Sequence, residues 1–386
     1  MNIRHRISSF LSNLNLCLFP NLEVALPAPM TDEHRRIVEI LELVRVEEKV
    51  PRYIPSPFGG RPPYDRRMLA RAFVVKSALG LSETEDMVSR LHADRTLRCL
   101  CGFSDGKSLP SLSTFSRSFE EFALQNLFDK VHETRVSEYL QDTITGHVSY
   151  DGTAIPTRER AVKKEKPVIA KRKRGRPKAG EERPAPEPKR LEQQLTQTLE
   201  EIRANLPKDC DWGGKRNSQG NTEFWKGFKF HVAFTDTGLP IAAITTSAST
   251  HDSQCAIPLM LMVYQRIQSG YDIFDSAYDA KEIKSYSKKL GHIPIIDANR
   301  RRNRMNEEAE KLNKLPFSSL DIDRALIDDK RLLRYNERTS VERFNSQLKD
   351  NTGARMIRVR GYQKVHSMLM CSVLVIFADA LLALGR

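Results

Sequence analysis

The sequence predicts an α/β fold, in which a mixed β-sheet carries helices on its faces and follows an all-helical N-terminal part. Two observations support this prediction. Residues 28–145 show helical, turn-rich patterns, whereas beyond residue 146 short apolar or alternating segments are interleaved with helices. We therefore expect a weakly structured start over 1–27, a helical region over 28–145 and an α/β region over 146–386. A basic insertion interrupts the last region at about 155–222.

The first two predicted helices lie between residues 66 and 92. The segment Arg66–Ala78 is amphipathic, and Gly80 interrupts the pattern after it. Ser82 and Glu85 are spaced as a capping box, which predicts the start of a second helix that runs through His92.

The third predicted helix begins near Ser111 and places Phe119 and Phe122 on its inner side. A helix–turn–helix whose last helix begins with Ser, Thr and Arg residues is suited to the DNA major groove. A capped helix that packs only within its own bundle explains the same pattern. Both interpretations stay open at this point, and no base-reading residue is predicted.

The predicted sheet consists of several short segments. They lie at 148–151, 228–234, 240–245, 271–275 and 293–296. A tight turn over 235–238 joins the second and third of them as an antiparallel hairpin. Helices are predicted near 253–266 and after residue 279, the latter ending at Gly291.

Four polar residues near the C-terminus form a stripe on one predicted helix: Tyr335, Arg338, Glu342 and Lys349. An α-helix turns about 100° per residue, so they fall within an arc of about 60°. A carboxylate, two cations and a phenol on one face suit a phosphate ligand together with a metal.

Phe344 and Leu348 of the same helix point elsewhere, and as an i,i+4 pair they can anchor it. A stripe of charges is often only a solvated face. The acidic residues upstream favour the functional interpretation.

Two aspartates stand at the ends of predicted strands. Asp151 follows alternating Val148 and Tyr150, and Gly152 next to it lets the backbone turn sharply beneath a ligand. Asp275 closes an apolar segment and precedes a helix. A common turn at Asp151 and a helix cap at Asp275 are the alternative explanations.

Three carboxylates have a chemical reason to converge. In-line cleavage of a phosphodiester needs an activated water and a stabilised leaving oxygen, and two Mg²⁺ ions about 4 Å apart supply both. Mg²⁺ prefers oxygen ligands and keeps several waters, so a few carboxylates suffice. Without metal, such acids would repel one another.

The order Tyr-x2-Arg-x3-Glu-x6-Lys resembles the corresponding motif of bacterial insertion-sequence transposases of the Asp-Asp-Glu class, and all four positions match. The resemblance implies Asp151, Asp275 and Glu342 as catalytic metal ligands for two Mg²⁺ ions, with Mn²⁺ as a substitute. The family places a tyrosine three residues after its second aspartate, which selects Asp275 over Asp272 and Asp279.

The resemblance also implies a ribonuclease-H-like sheet and an activity. The chain would bind the ends of its own insertion sequence as double-stranded DNA, cleave each end and transfer the 3′ ends to target DNA. Tyr335, Arg338 and Lys349 would contact that DNA, and a homodimer would be the active form. A ribonuclease-H-like nuclease without end specificity and a catalytically silent DNA-binding regulator are the alternatives.

The charge is strongly basic and partly local. The chain has 62 Lys and Arg against 49 Asp and Glu, a net charge of +13, and residues 158–178 alone contain eleven Lys or Arg and two Glu. Such a cluster indicates an anionic partner. Within it Arg174, Gly175, Arg176 and Pro177 resemble the core of an AT-hook, which inserts in the narrow A·T minor groove. A linker that binds only phosphates is the alternative.

A narrow apolar stripe follows the basic segment. Leu191, Leu195, Leu199 and Ile202 are spaced as one helix, which could pack on the core or pair with a second subunit.

The remaining features predict a cytoplasmic, nucleoid-associated protein. The six cysteines form no Cys-x-x-Cys pair, so reduced thiols are expected. Polar residues interrupt the apolar N-terminal segment, which argues against a secretion signal. The longest apolar stretch, 365–384, contains His366 and Asp379. It is therefore expected to be a buried core helix, and no membrane partner is predicted.

Overall fold

A computed structural model describes residues 26–51, 63–103, 108–141, 143–163, 188–216, 220–297 and 339–385. The N-terminal half of this structure is helical, as predicted. Its α-helices are α1 (Asp32–Val44), α2 (Arg66–Ala78), α3 (Thr84–Ala93), α4 (Arg95–Leu100), α5 (Leu112–Leu124) and α6 (Leu127–Leu140).

The core of these helices is aromatic. The ring of Phe73 on α2 lies 4.6 Å from that of Phe119 and 6.4 Å from that of Phe122, centroid to centroid. Phe119 and Phe122 are buried on α5, which confirms the predicted inner side of that helix.

The capping box predicted at Ser82 is wrong. Helix α3 begins one residue later, its N-cap is Glu83, and no side chain caps it. The Ser82 carbonyl instead accepts a hydrogen bond of 2.9 Å from Nζ of Lys76. This hydrogen bond involves the backbone carbonyl of Ser82, not the side-chain hydroxyl that a capping box would use.

The C-terminal half is a mixed α/β structure. Its strands are β1 (Ile144–Pro156), β2 (Asp211–Arg216), β3 (Thr222–Thr235), β4 (Pro240–Ser247), β5 (Gln268–Phe274) and β6 (Ile293–Ile296). Its α-helices are α7 (Arg190–Gln194), α8 (Leu199–Asn205), α9 (Ala256–Tyr264), α10 (Lys281–Lys289), α11 (Thr339–Asp350) and α12 (Tyr362–Gly385). This architecture is consistent with the predicted ribonuclease-H-like fold.

Strand β1 is central in the sheet, whose order is β2-β3-β1-β5-β6, with β4 paired to β3. On one side β1 runs antiparallel to β3 and pairs Asp151 with Val232. On the other side it runs parallel to β5 and pairs Ser149 with Ile273. The carboxyl ends of β1 and β5 therefore point the same way, which is where sites form in open sheets.

The single helix predicted for the stripe from Leu191 to Ile202 is wrong. The structure has two short helices there, because the Thr198 side chain accepts a hydrogen bond from the backbone N–H of Glu201 and starts a new helix. The Glu201 carboxylate in turn accepts a hydrogen bond from the backbone N–H of Thr198, which completes a capping box.

Helix α12 is the centre of the whole core. Its 24 residues are long and apolar enough to cross a membrane, but most of its apolar window is buried against α1, α2, α5, α6 and β4. The predicted core helix is therefore present. His366 on α12 joins the two halves: Nε2 lies 2.9 Å from Asp129 Oδ1 on α6, and Nδ1 lies 2.8 Å from Thr245 Oγ1 on β4.

One buried cation in this core should reduce stability. Lys76 is 2% exposed, and burial lowers the pKa of its ammonium from 10.5 to about 8. Between these two pH values the unfolded chain binds the extra proton, so the free energy of unfolding should rise with pH. Lys76→Met should remove this rise and, at neutral pH, stabilise the fold by roughly 1–3 kcal/mol.

Urea unfolding at a series of pH values measures this effect. Lys130→Met, at an exposed position on α6, is the matched control and should keep the wild-type pH dependence. If Lys76→Met kept the wild-type pH dependence of the free energy of unfolding, Lys76 would not be its source.

Candidate active site

The site is built around Asp151, which lies half-buried within β1. The strand continues to Pro156, so the predicted strand end at Asp151 and the sharp turn at Gly152 are wrong. The next residue, Gly152, allows a close approach from the opposite side of the sheet. A Cβ at Gly152 would lie 2.7 Å from Asp252 Oδ1 and 2.8 Å from His231 Nδ1. The glycine predicted beside the first acid is thus required by packing beneath the strand, because a larger residue would displace both groups.

Asp275 comes directly after β5 and caps a short 3₁₀ helix, Ser276–Tyr278. Its Oδ1 accepts a hydrogen bond of 2.8 Å from the backbone N–H of Ala277. The predicted capping role is therefore present, and it fixes the carboxylate at the end of the strand. The cap leaves further lone pairs on the carboxylate, so it is compatible with metal binding.

Asp272, the competing aspartate in the same segment, has a structural role. It is fully buried, and it accepts hydrogen bonds from Tyr150 Oη at 2.9 Å and Ser287 Oγ at 2.6 Å. It also lies 3.1 Å from His292 Nδ1 and raises the pKa of that imidazole. Asp279, the third choice, forms an ion pair with Lys284. Asp272 and Asp279 are thus both engaged in contacts within the fold.

Helix α11 brings the C-terminal residues to β1. Phe344 and Leu348 are fully buried, as predicted, and the Phe344 ring lies 5.0 Å from that of Phe234 on β3. One residue further, Asn345 Nδ2 donates a hydrogen bond of 2.9 Å to Asp151 Oδ2. The helix is therefore both packed on the sheet and bonded to the first acid.

Glu342 lies one helical turn before Asn345 and is exposed. Residues three apart on a helix are neighbours, so Glu342 is on the side of α11 that reaches Asp151. Lys349 lies two turns further on and is half-buried.

The other predicted contact residues, Tyr335, Arg338, Arg174, Gly175, Arg176 and Pro177, lie outside the described residues. Their roles stay predictions.

Lys349 lies in an electropositive environment. Burial lowers the pKa of its ammonium, and the cations Lys215 and Arg355 lower it further, while Asp151 and Asp350 act in the opposite direction. The sheet edge that carries the acids thus also carries repelling cations. A bound phosphate would relieve that repulsion.

A second group of polar residues lies beneath β1. Nζ of Lys229 donates hydrogen bonds to Asp252 Oδ1 at 3.1 Å and to the Thr250 carbonyl at 3.0 Å, while His231 Nδ1 lies 3.7 Å from Asp252 Oδ1. Burial lowers the pKa of His231 to about 4, so it is neutral at physiological pH. The N-cap of the following 3₁₀ helix is His251, and Asp252 is the first residue of that helix.

The buried hydroxyl of Tyr278 connects the two groups. It has no hydrogen-bond partner among the described residues. Burial raises its pKa, and the carboxylates of Asp252, Asp151 and Asp275 raise it further. All three acids therefore lie near this hydroxyl.

The donor set fits a divalent ion. Asp151, Asp275 and Glu342 offer the oxygen ligands that Mg²⁺ prefers. Buried Asn345 Oδ1 has no hydrogen-bond partner within the described ranges and can accept a bond from a metal-bound water. In the same part of the chain no three His, Cys, Asp or Glu side chains already form a metal-binding group. Asp151, Asp275 and Glu342 therefore do not form such a group in this structure.

Sequence reasoning missed several residues of this edge. Asn345 could have been found, because it lies one turn after Glu342 on the same helix. Lys215 gave no local signal, since it reaches the site only through strand pairing.

Two family profiles match the chain. The profile of the transposase DDE domain matches residues 145–378, and that of a transposase domain (DUF772) matches residues 23–121. No curated protein and no solved structure matches the chain.

The bond between Asn345 and Asp151 yields a direct prediction. Asn345→Ala should weaken Mn²⁺ binding by about 10- to 100-fold, as is usual when a group that orients a metal ligand is lost. Titration of the full chain with Mn²⁺, followed by electron paramagnetic resonance, measures this. Gln347→Ala, an exposed position on the same helix, should bind Mn²⁺ like the wild type. Equal Mn²⁺ affinity in the two variants would show that Asn345 does not contribute to metal binding.

Proposed function

The chain belongs to the family of transposases with a DDE domain, and on this basis we propose that it cuts and joins DNA at the ends of its own insertion sequence. The observation that carries the proposal is the hydrogen bond from Asn345 on α11 to Asp151 on β1. It brings the helix of the third acid to the strand of the first.

Asp151, Asp275 and Glu342 are the proposed ligands of two Mg²⁺ ions, for which Mn²⁺ can substitute. The ions would supply an activated water and a stabilised leaving oxygen. The chain itself orients the first two acids: Asn345 holds one oxygen of Asp151, and the backbone N–H of Ala277 holds one oxygen of Asp275. This arrangement limits the reorganisation needed when DNA binds.

Lys349 is the proposed phosphate ligand within the described residues. It is half-buried beside Asp151, and Lys215 and Arg355 add positive charge around it. A phosphate placed there lies close to the acids that would act on it. Tyr335 and Arg338, which precede α11, are proposed to contact the same DNA.

The other parts of the chain are proposed to hold the DNA duplex. The helical region over 28–145 would bind the end repeats, with α5 as the candidate for the major groove. The insertion at about 155–222 would add Arg174, Gly175, Arg176 and Pro177 in an A·T minor groove, or phosphate contacts alone. A homodimer would hold both ends, in the cytoplasm and near the nucleoid.

The role of Glu342 can be tested directly. Glu342→Gln should bind end DNA with wild-type affinity, because the residue is exposed and its volume is kept. Its Mg²⁺-dependent nicking of that DNA should fall by more than about a hundredfold, beyond the loss typical of groups outside the metal shell. Asp350→Asn, the same chemical change later in α11, is the matched control and should still nick.

The same assay separates the alternatives. Normal cleavage by Glu342→Gln would refute the three-acid site. Cleavage of random DNA as fast as end DNA would favour the nuclease, and binding without nicking by the wild type would favour the regulator.

The role of Lys349 has its own test. Lys349→Gln should weaken binding to every DNA sequence alike and reduce the slope of log affinity against log salt concentration by about 1. Fluorescence anisotropy at several salt concentrations measures both. Lys288→Gln, at an exposed position on α10, should keep the wild-type slope. An unchanged slope in Lys349→Gln would exclude a phosphate contact.

A further inference from the structure

A two-stranded ribbon extends from the edge of the sheet beside the site. It consists of residues 211–216 of β2 and 222–227 of β3, paired antiparallel. Strand β1 pairs with β3 only from Gly227 onward, and β4 only from Phe228 onward. The ribbon therefore extends beyond those two strands.

Two large aromatic side chains on the ribbon are exposed. Trp212 is 60% exposed and Phe224 is 71% exposed. Trp212 pairs with Lys226 and Phe224 with Gly214, so the two aromatic residues are diagonal neighbours on one face. A Cβ at Gly214 would lie 3.1 Å from the Phe224 ring, which shows that the ring lies over the glycine.

This face is on the same side of the sheet as Asp151. Side chains alternate along a strand. On β3 the Trp225 ring lies 5.9 Å from Nζ of Lys229, so the side chains of Trp225 and Lys229 lie on one side of the sheet. Phe224 is on the other side. Val232 of β3 lies on the same side of the sheet as Phe224. Residues that pair across strands share a side, so Asp151, the partner of Val232, lies there too.

The aromatic face is basic. Besides Trp212 and Phe224 it carries Arg216 and Lys226, and the pairing places no acid on it. Lys215, at the end of β2, acts electrostatically on Lys349. The end of the ribbon is therefore within electrostatic range of the proposed phosphate ligand.

We propose that this aromatic face binds unpaired bases of the DNA strand next to the position of cleavage. The proposal rests on the proposed function, because it takes the DNA at the Asp151 edge as given. Trp212 and Phe224 would stack on the bases, and Arg216 and Lys226 would contact the phosphates between them.

Unpaired bases fit this face better than an intact duplex does. Aromatic side chains stack on a base only when its face is open, and in a duplex the neighbouring base pairs cover it. The combination of stacking residues with cations in a groove that follows the backbone is the usual arrangement for single strands. A second copy of the chain is the alternative occupant, and the oligomeric state of Trp212→Ala separates it from DNA.

The test compares two DNA probes in the full chain with Glu342→Gln, so that no DNA is cut. One probe is a fully paired duplex of the element's end. The other has the same sequence with a few unpaired bases next to the cleavage position, one of them 2-aminopurine. Trp212→Ala and Phe224→Ala should each weaken binding of the unpaired probe by about 5- to 150-fold and leave the paired probe unchanged.

Tyr264→Ala is the matched control, because this aromatic residue on α9 is 55% exposed. It should bind both probes like the parent. The 2-aminopurine fluorescence, which stacking quenches, should rise in Trp212→Ala and stay low in the control.

Three results would overturn the proposal. These are unchanged affinity for the unpaired probe, an equal loss for both probes, and a change of oligomeric state in Trp212→Ala without DNA, which would make the face a subunit contact. The readout is binding rather than cleavage, so a wild-type chain that never nicks DNA would refute the proposed function alone.

Discussion

The packing of α11 on the sheet is the interaction on which the site depends. Phe344 lies against Phe234, and with Leu348 it fixes the rotation of the helix. Loss of a buried phenylalanine typically costs about 3–5 kcal/mol, far more than one surface contact. With this rotation set, Asn345 reaches Asp151 and Glu342 follows one turn away. The packing of the apolar side of α11 on the sheet therefore determines where the polar side of the helix lies.

The second constraint is electrostatic. Strands β1 and β5 supply carboxylates, while α11 and β2 supply Lys349 and Lys215 at the same edge. Acids crowded together repel one another, and so do cations that lose solvent. Metal ions between the acids and phosphates between the cations would relieve both repulsions together. On this view DNA and metal bind with mutual support, whereas Lys229 is bonded to Asp252 beneath β1.

Much of the sheet could be predicted, because its signals are local. The alternation over 228–234 and the turn with Gly238 determine a hairpin without any other part of the chain, and the structure has it at β3 and β4. The errors have a different origin. The N-cap of α3 is Glu83 rather than Ser82, and the capping box at Thr198 divides a helix whose apolar stripe looked continuous. The choice of Asp275 over Asp272 came from a family pattern and stays a prediction, while the structure shows Asp272 buried and hydrogen-bonded to Tyr150 and Ser287. Lys215 acts across the fold, so no local pattern indicated it, whereas the helical spacing after Glu342 could have indicated Asn345.

Helix α12 gives the two halves of the chain a fixed relation. It packs against α1, α2, α5 and α6 on one side and β4 on the other, and His366 bridges Asp129 and Thr245 across the junction. Burial alone would raise the pKa of Asp129, but contact with His366 brings it below the ordinary value, so the carboxylate is charged and the bridge is strong. A module on a flexible linker would explore many positions relative to the sheet. Here the distance from α5 to Asp151 is set by a shared core. For the proposed end recognition, the position of the cut relative to the bound repeat would then be a property of the fold.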